Sequence, residues 1–161
     1  MSATAFDSAH FRQVLGHFPT GVTVITAAAD DGPVGLAVGS FASVSLEPPL
    51  VAFFAGKGSS SWPKIEATGS FCVNVLAEAQ EEVCRRFASK EPDKFAGLGW
   101  HAASSGSPVL EGVLAWIDCD VASVTEAGDH LCVMGAVRDL GVVAEGGPLV
   151  FFRGGYGRFA V

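Results

Sequence analysis

A few clusters of residues in this 161-residue chain combine side-chain types that could do chemistry. The first lies in Gly35–Leu50, GLAVGSFASVSLEPPL, where Ala37, Val38, Gly39, Ser40 and Ser43 stand between two extended apolar segments. Small side chains let a backbone approach a flat ligand closely. Backbone N–H groups and hydroxyls can serve ring carbonyls and phosphate oxygens. Read alone, the stretch is also compatible with a Ser/Gly-rich β-connection that binds nothing. The second cluster is Phe54-Ala55-Gly56-Lys57 followed by Ser59-Ser60-Ser61. It is no P-loop, because Gly58 follows the lysine where Ser or Thr is required. It does precede an expected helix start, where free N–H groups can hold a phosphate. Capping needs one serine, so three serines and a lysine leave room for a ligand role. The third cluster is Gly128-Asp129-His130, a turn between two strands. Its histidine is either a solvated turn residue or a group that donates to an amide carbonyl and packs on a ring. Tyr156, in Arg153-Gly154-Gly155-Tyr156, reads as a packed residue at a bulge or chain exit.

Composition narrows the classes. Hydrophobic residues are 49% and charged residues 17%, an apolar balance that implies surface covered by a second subunit or a ligand. The net charge of −7 excludes a nucleic-acid surface. No apolar run reaches the ~18 residues of a bilayer span. The opening MSATAFDSAH has no basic region followed by an apolar core, so it is read as no signal peptide and the expectation is a cytoplasmic protein. Cys72, Cys84, Cys119 and Cys132 form no C-x-x-C pair and are expected as reduced thiols, with no metal site. Gly97–Ala102, GLGWHA, imitates a dinucleotide fingerprint but lacks the strand before it and the amphipathic helix after it. No nucleophile-elbow motif supports hydrolysis.

The elements that must carry these clusters follow from periodicity. Phe11, Val14, Leu15 and Phe18 predict an amphipathic helix, capped by Asp7 or Ser8 and ended by Pro19. Val22–Ala28 predicts a strand, Asp30–Pro33 a turn, and a second strand from Val34 completes a hairpin. Leu50–Phe54 and Phe71–Leu76 are further strands, with a short helix after Ser61 that has Pro63 in its first turn. Ala79, Val83 and Phe87 predict a second amphipathic helix, and Ser89–Pro108 a long loop. Val113–Val124, Leu131–Val143 and Leu149–Phe152 complete six or seven strands with helices inserted rather than alternating. That pattern favours a mainly β, antiparallel barrel over a doubly wound sheet. Residues 1–161 are expected to form a single domain.

Taken in order, the segments resemble one family. Phe18–Thr26, Gly35–Leu50, Ser59–Trp62, Phe71–Leu76 (F-C-V-N-V-L), Asp93-Lys94-Phe95, Gly128-Asp129-His130 and Gly154-Gly155-Tyr156 together resemble the flavin reductase-like family. The resemblance implies an FMN-binding split β-barrel, a homodimer, and NAD(P)H:flavin oxidoreductase activity with FMN or FAD and NADH or NADPH. It also implies a flavin-dependent monooxygenase partner that receives the reduced flavin. By position it puts Ala37–Ser40 and Ser43 along the flavin ring and ribityl chain. Phe54–Lys57 and Ser59–Ser61 fall at the phosphate end, and His130 and Tyr156 on the nicotinamide side. Family members commonly carry Asn where this chain has Gly39, so a ring contact there falls to backbone N–H or to Ser40. Two alternatives stay open: an oxidoreductase that holds FMN tightly for another acceptor, and a flavin-binding module without turnover.

Overall fold

The computed structural model describes residues 5–160. Twelve strands and three α-helices are defined among these residues, and every strand pair is antiparallel. The main sheet has seven strands: β2 (Thr23–Ala29), β3 (Gly32–Val38), β4 (Ala42–Leu46), β5 (Pro49–Gly56), β6 (Ser70–Val75), β9 (Ala115–Ala127) and β10 (His130–Val142). Their order is β3-β2-β6-β9-β10-β5-β4. The sheet does not close by hydrogen bonding, since β3 and β4 remain its edges. It is nevertheless strongly curled. Strands β3 and β5 are first and sixth in order, about 24 Å apart in a flat sheet at the usual strand spacing. Yet Leu36 and Val38 of β3 share one buried core with Val51 and Phe53 of β5. Helix α2 (Trp62–Thr68) inserts Trp62 and Ile65 into that core, with Phe53 edge-on to Trp62 at 5.7 Å.

A second core lies on the other face of β2 and β6. There α3 (Glu81–Ala88) buries Cys84 and Phe87. Gly35 makes this approach possible, because a Cβ on it would lie 2.8 Å from the Phe87 ring. Asn74, fully buried in β6, joins the layers: the two N–H bonds of its amide face three acceptors, Val24 O, Thr26 Oγ1 and Pro108 O, and its carbonyl accepts from Leu110 N. A buried polar side chain with both ends of its amide paired fixes one register.

Several expectations change in detail. Residues 42–46, inside the expected connection, form β4 in a hairpin with β5. The expected loop Ser89–Pro108 contains β7 (Trp100–Ala102), which pairs with β8 (Pro108–Leu110) across a turn anchored on buried Asp118. That short pairing has no alternating pattern for periodicity to detect. The chain exit is a hairpin, not a bulge: β11 (Leu149–Phe152) pairs with β12 (Gly155–Arg158), and β11 also pairs with β1 (Thr20–Gly21). Helix α1 (Ser8–Leu15) forms as expected, with the Asp7 carboxylate accepting from His10 N at 2.8 Å. Its amphipathic face, however, buries no residue within this chain.

Candidate active site

Three adjoining hollows meet along the end of β3 and the link to β4. The largest, about 870 Å³, is an apolar groove walled by Leu15, Phe18, Phe41, Phe54 and Phe151, with Thr20 and Ser40 on its floor. The second, about 160 Å³, is bounded by Thr20, Ala37, Gly39, Cys84 and Tyr156. The third, about 430 Å³, gathers Ser59, Ser60, Ser61, Lys90 and Lys94. Ala37 lines the second and third, while Thr20 and Gly39 line the first and second. One strand end therefore touches a flat apolar groove at one side and a hydroxyl- and amine-lined hollow at the other.

Local geometry explains why. The Ser40 hydroxyl accepts from Phe54 N at 3.0 Å and donates to Phe54 O at 3.2 Å, clamping the β3–β4 link onto β5. The backbone N–H groups of Gly39 and Ser40 find no acceptor among the described residues. The Thr20 hydroxyl is buried and also lacks a partner there. A Cβ at residue 39 would lie 3.0 Å from that oxygen, so glycine is what leaves the hydroxyl facing the hollow. Unsatisfied buried polar atoms are costly and rare. One at the junction of two hollows, beside free N–H donors, fits a polar-edged planar ring such as a flavin.

The other site residues divide between different places. Ser59 Oγ accepts from Ser61 N and Trp62 N, both at 3.2 Å, so this serine caps α2. Lys57 turns away from the serines to an ion pair with Glu126 at 3.4 Å, and Lys90 and Lys94 line the serine hollow instead. Val38 faces the core and Ser43 is exposed on β4. Ala55 is buried in the core, while Gly56 pairs with His130. His130 begins β10 at a two-residue turn in which Gly128 takes φ +65°. Its Nδ1 is 2.7 Å from Asp129 Oδ1, and this hydrogen bond with His130 is the main cause holding the Asp129 carboxyl below its usual range. Tyr156 lies elsewhere, with its hydroxyl 3.3 Å from Cys84 Sγ and Arg85 stacked 4.7 Å from its ring centre. Burial, then the contact with Cys84, pushes the Tyr156 phenol up to about 12. Tyr156 borders the second of these three hollows, and His130 borders none of them. Sequence reading missed Thr20, Cys84, Lys90 and Lys94 as site residues. The only sequence signal for them was their inclusion in, or closeness to, segments that carry the resemblance.

The family comparison decides the class. Residues 15–160 match the model described as the flavin reductase like domain. The chain belongs to the flavin reductase-like family. It is similar to a flavin reductase of Pseudomonas putida, 59% identical over 98% of this chain and 93% of that protein. It is 58% identical to the reductase subunit of a flavin-dependent monooxygenase from Mycobacterium tuberculosis, over 93% of this chain and 81% of that one. Among solved structures, nitrilotriacetate monooxygenase component B homolog from Mycobacterium thermoresistibile superposes with a TM-score of 0.94 at 51% identity. That match covers 98% of this chain and 89% of the other. Within this flavin reductase-like chain, no helix among the described residues is long and apolar enough to cross a membrane.

Proposed function

We propose that this chain is an NAD(P)H:flavin oxidoreductase whose reduced flavin supplies a flavin-dependent monooxygenase. The observation that carries the reading is the continuity of the three hollows along Ala37–Ser40. A flavin is a planar ring joined by a chain to a phosphate, and along this strand end two mainly apolar hollows lead to one lined by serines and lysines. The curled sheet is read as the family's split barrel, and residues 1–161 as one such domain in the cytoplasm. Relatives include a reductase named for FMN and NADH at 41% identity and a structure named for NADH and FAD at 35%. FMN or FAD as acceptor and NADH or NADPH as donor are proposed here on that footing.

Flavin, when bound, supplies the two-electron redox chemistry, and the protein supplies binding and orientation. In this reading the N–H groups of Gly39 and Ser40 and the Thr20 hydroxyl hold the ring's polar edge. Phe41 and Phe54, which line the groove, would pack against the ring and exclude water. Ser59–Ser61 close the phosphate end. His130, oriented by Asp129, positions the nicotinamide, and Tyr156 floors the small hollow. Holding donor and acceptor in reacting geometry supplies much of the acceleration without a strong acid or base. The unburied apolar face of α1 borders the groove, so we infer a homodimer in which a second copy covers it. Purified protein is expected to oxidise NAD(P)H only when flavin is present; flavin-independent oxidation, or none with any flavin, overturns the reading.

A further inference from the structure

We propose that Cys84 and Arg85 of α3 are positioning residues, which hold the Tyr156 ring at a fixed place and angle as the floor of the second hollow. The proposal rests on the reading of that hollow as part of a flavin site. Tyr156 needs such holding. Its strand, β12, is the outer strand of the small sheet and pairs with β11 alone. Its neighbours are Gly155 and Gly157, which bring no side chain to fix the strand. Phe151 meets the ring at a centroid distance of 5.3 Å, but Phe151 is its cross-strand partner and travels with the same hairpin. The ring also packs against the second core, and apolar packing is non-directional. The directional contacts come from α3. Among the described residues the Tyr156 hydroxyl has one hydrogen-bond partner, Cys84 Sγ at 3.3 Å. Arg85 Cζ lies 4.7 Å from the ring centre, within reach of a cation–π contact. Glu81, one turn earlier, holds the Arg85 guanidinium by an ion pair at 3.0 Å. Helix α3 is itself seated on β3, with the Phe87 ring in the space that a Cβ on Gly35 would need. The strand whose end lines the hollow, at Ala37 and Val38, therefore also carries the helix that places Tyr156 in it. One rigid connection sets the width of the hollow, and alignment of the reacting rings depends on that width.

Tyr156 is the chain's one tyrosine, so its phenol can be titrated by tyrosinate absorbance in the ligand-free protein. The Cys84 contact disfavours the phenolate, and the Arg85 cation favours it. C84A is therefore expected to increase the fraction ionised at about pH 11, and R85Q to decrease it. An increase in both variants would mean that the two side chains merely cover the ring, and it would overturn the proposal, as would no change in either. Stopped-flow flavin reduction at saturating nicotinamide supplies the functional half. C84A and Y156F are each expected to slow reduction about tenfold, within reach of a small misplacement of a reacting group. The C84A/Y156F double variant is expected to be no slower than either single one, since both remove the same contact. Multiplying losses, or C84A at the wild-type rate, overturn the positioning role. R85Q alters an exposed side chain, so it decides the matter even where C84A folds poorly: an unshifted phenol with wild-type reduction overturns the proposal. Absence of flavin-dependent oxidation in wild type refutes the proposed function instead, and the ligand-free titration still decides whether α3 holds Tyr156.

Discussion

The Thr20 hydroxyl is the residue-scale feature that separates a binding site from a packed strand end. It is buried without a partner and sits where two hollows join. Thr20→Val removes an unsatisfied polar atom with almost no change of shape. It is expected to stabilise the ligand-free protein by roughly 1 kcal/mol, within the usual penalty for such a group, while weakening flavin binding. Thermal melts with and without FMN read both signs; a loss of stability without ligand would show that the hydroxyl has a partner after all. His130 yields the second prediction. Its Nδ1 is committed to Asp129, so Nε2, beside Gly56, is the nitrogen left for a ligand. His130→Ala is expected to raise the nicotinamide KM and slow flavin reduction by roughly 1–3 kcal/mol of transition-state stabilisation, the range for one lost buried hydrogen bond. Flavin affinity should stay nearly unchanged. Stopped-flow reduction at wild-type rates across nicotinamide concentrations would return His130 to a solvated turn. The small residues Ala37–Ser40 and the serines were legible in the sequence because their types are unusual between apolar strands. Thr20, Lys90 and Lys94 were not: a threonine in a strand and a lysine in a polar loop look the same whether or not a hollow forms beside them.

At the scale of elements, apolar patterning found every long strand and the helices α1 and α3, and the serine run with Pro63 found α2. The patterning misjudged the pieces whose pairing is non-local. Residues 42–46 lie mostly exposed on an edge strand, so their burial pattern does not alternate. The pairing of β7 with β8 depends on a turn held by Asp118, from a strand that comes later in the chain. The α1 pattern was read correctly as amphipathic, yet Phe11, Val14 and Leu15 are each about half exposed and Phe18 is 73% exposed. Such a face on a capped helix calls for a partner surface. Sedimentation of wild type at micromolar concentration is expected to give about twice the chain mass, the usual closed C2 assembly. Phe11→Asp with Phe18→Asp is expected to shift it to monomer and reduce turnover. A wild-type monomer at full activity would contradict a site completed by the second copy.

At the scale of the whole molecule, the β12 hairpin and α3 meet through the Tyr156–Cys84 contact. Burial is the main cause raising the pKa of each group, and the fold therefore favours the neutral phenol and thiol. Because the folded values lie above the unfolded ones, this stabilisation is complete below about pH 9 and is lost as pH rises through 10 towards 12. Denaturant melts from pH 7 to 11 should show that decline, with a shallower one in Tyr156→Phe; parallel curves for the two proteins would remove the linkage. The central claim concerns what the joined hollows accept. The most direct measurement is a steady-state assay that crosses NADH and NADPH with FMN, FAD and riboflavin. Nicotinamide oxidation is predicted to require added or retained flavin, and phosphorylated flavin is predicted to reach half-saturation at a lower concentration than riboflavin. Equal half-saturation for all three flavins would contradict a phosphate-binding end, and no flavin-dependent oxidation with either nicotinamide would contradict the account as a whole.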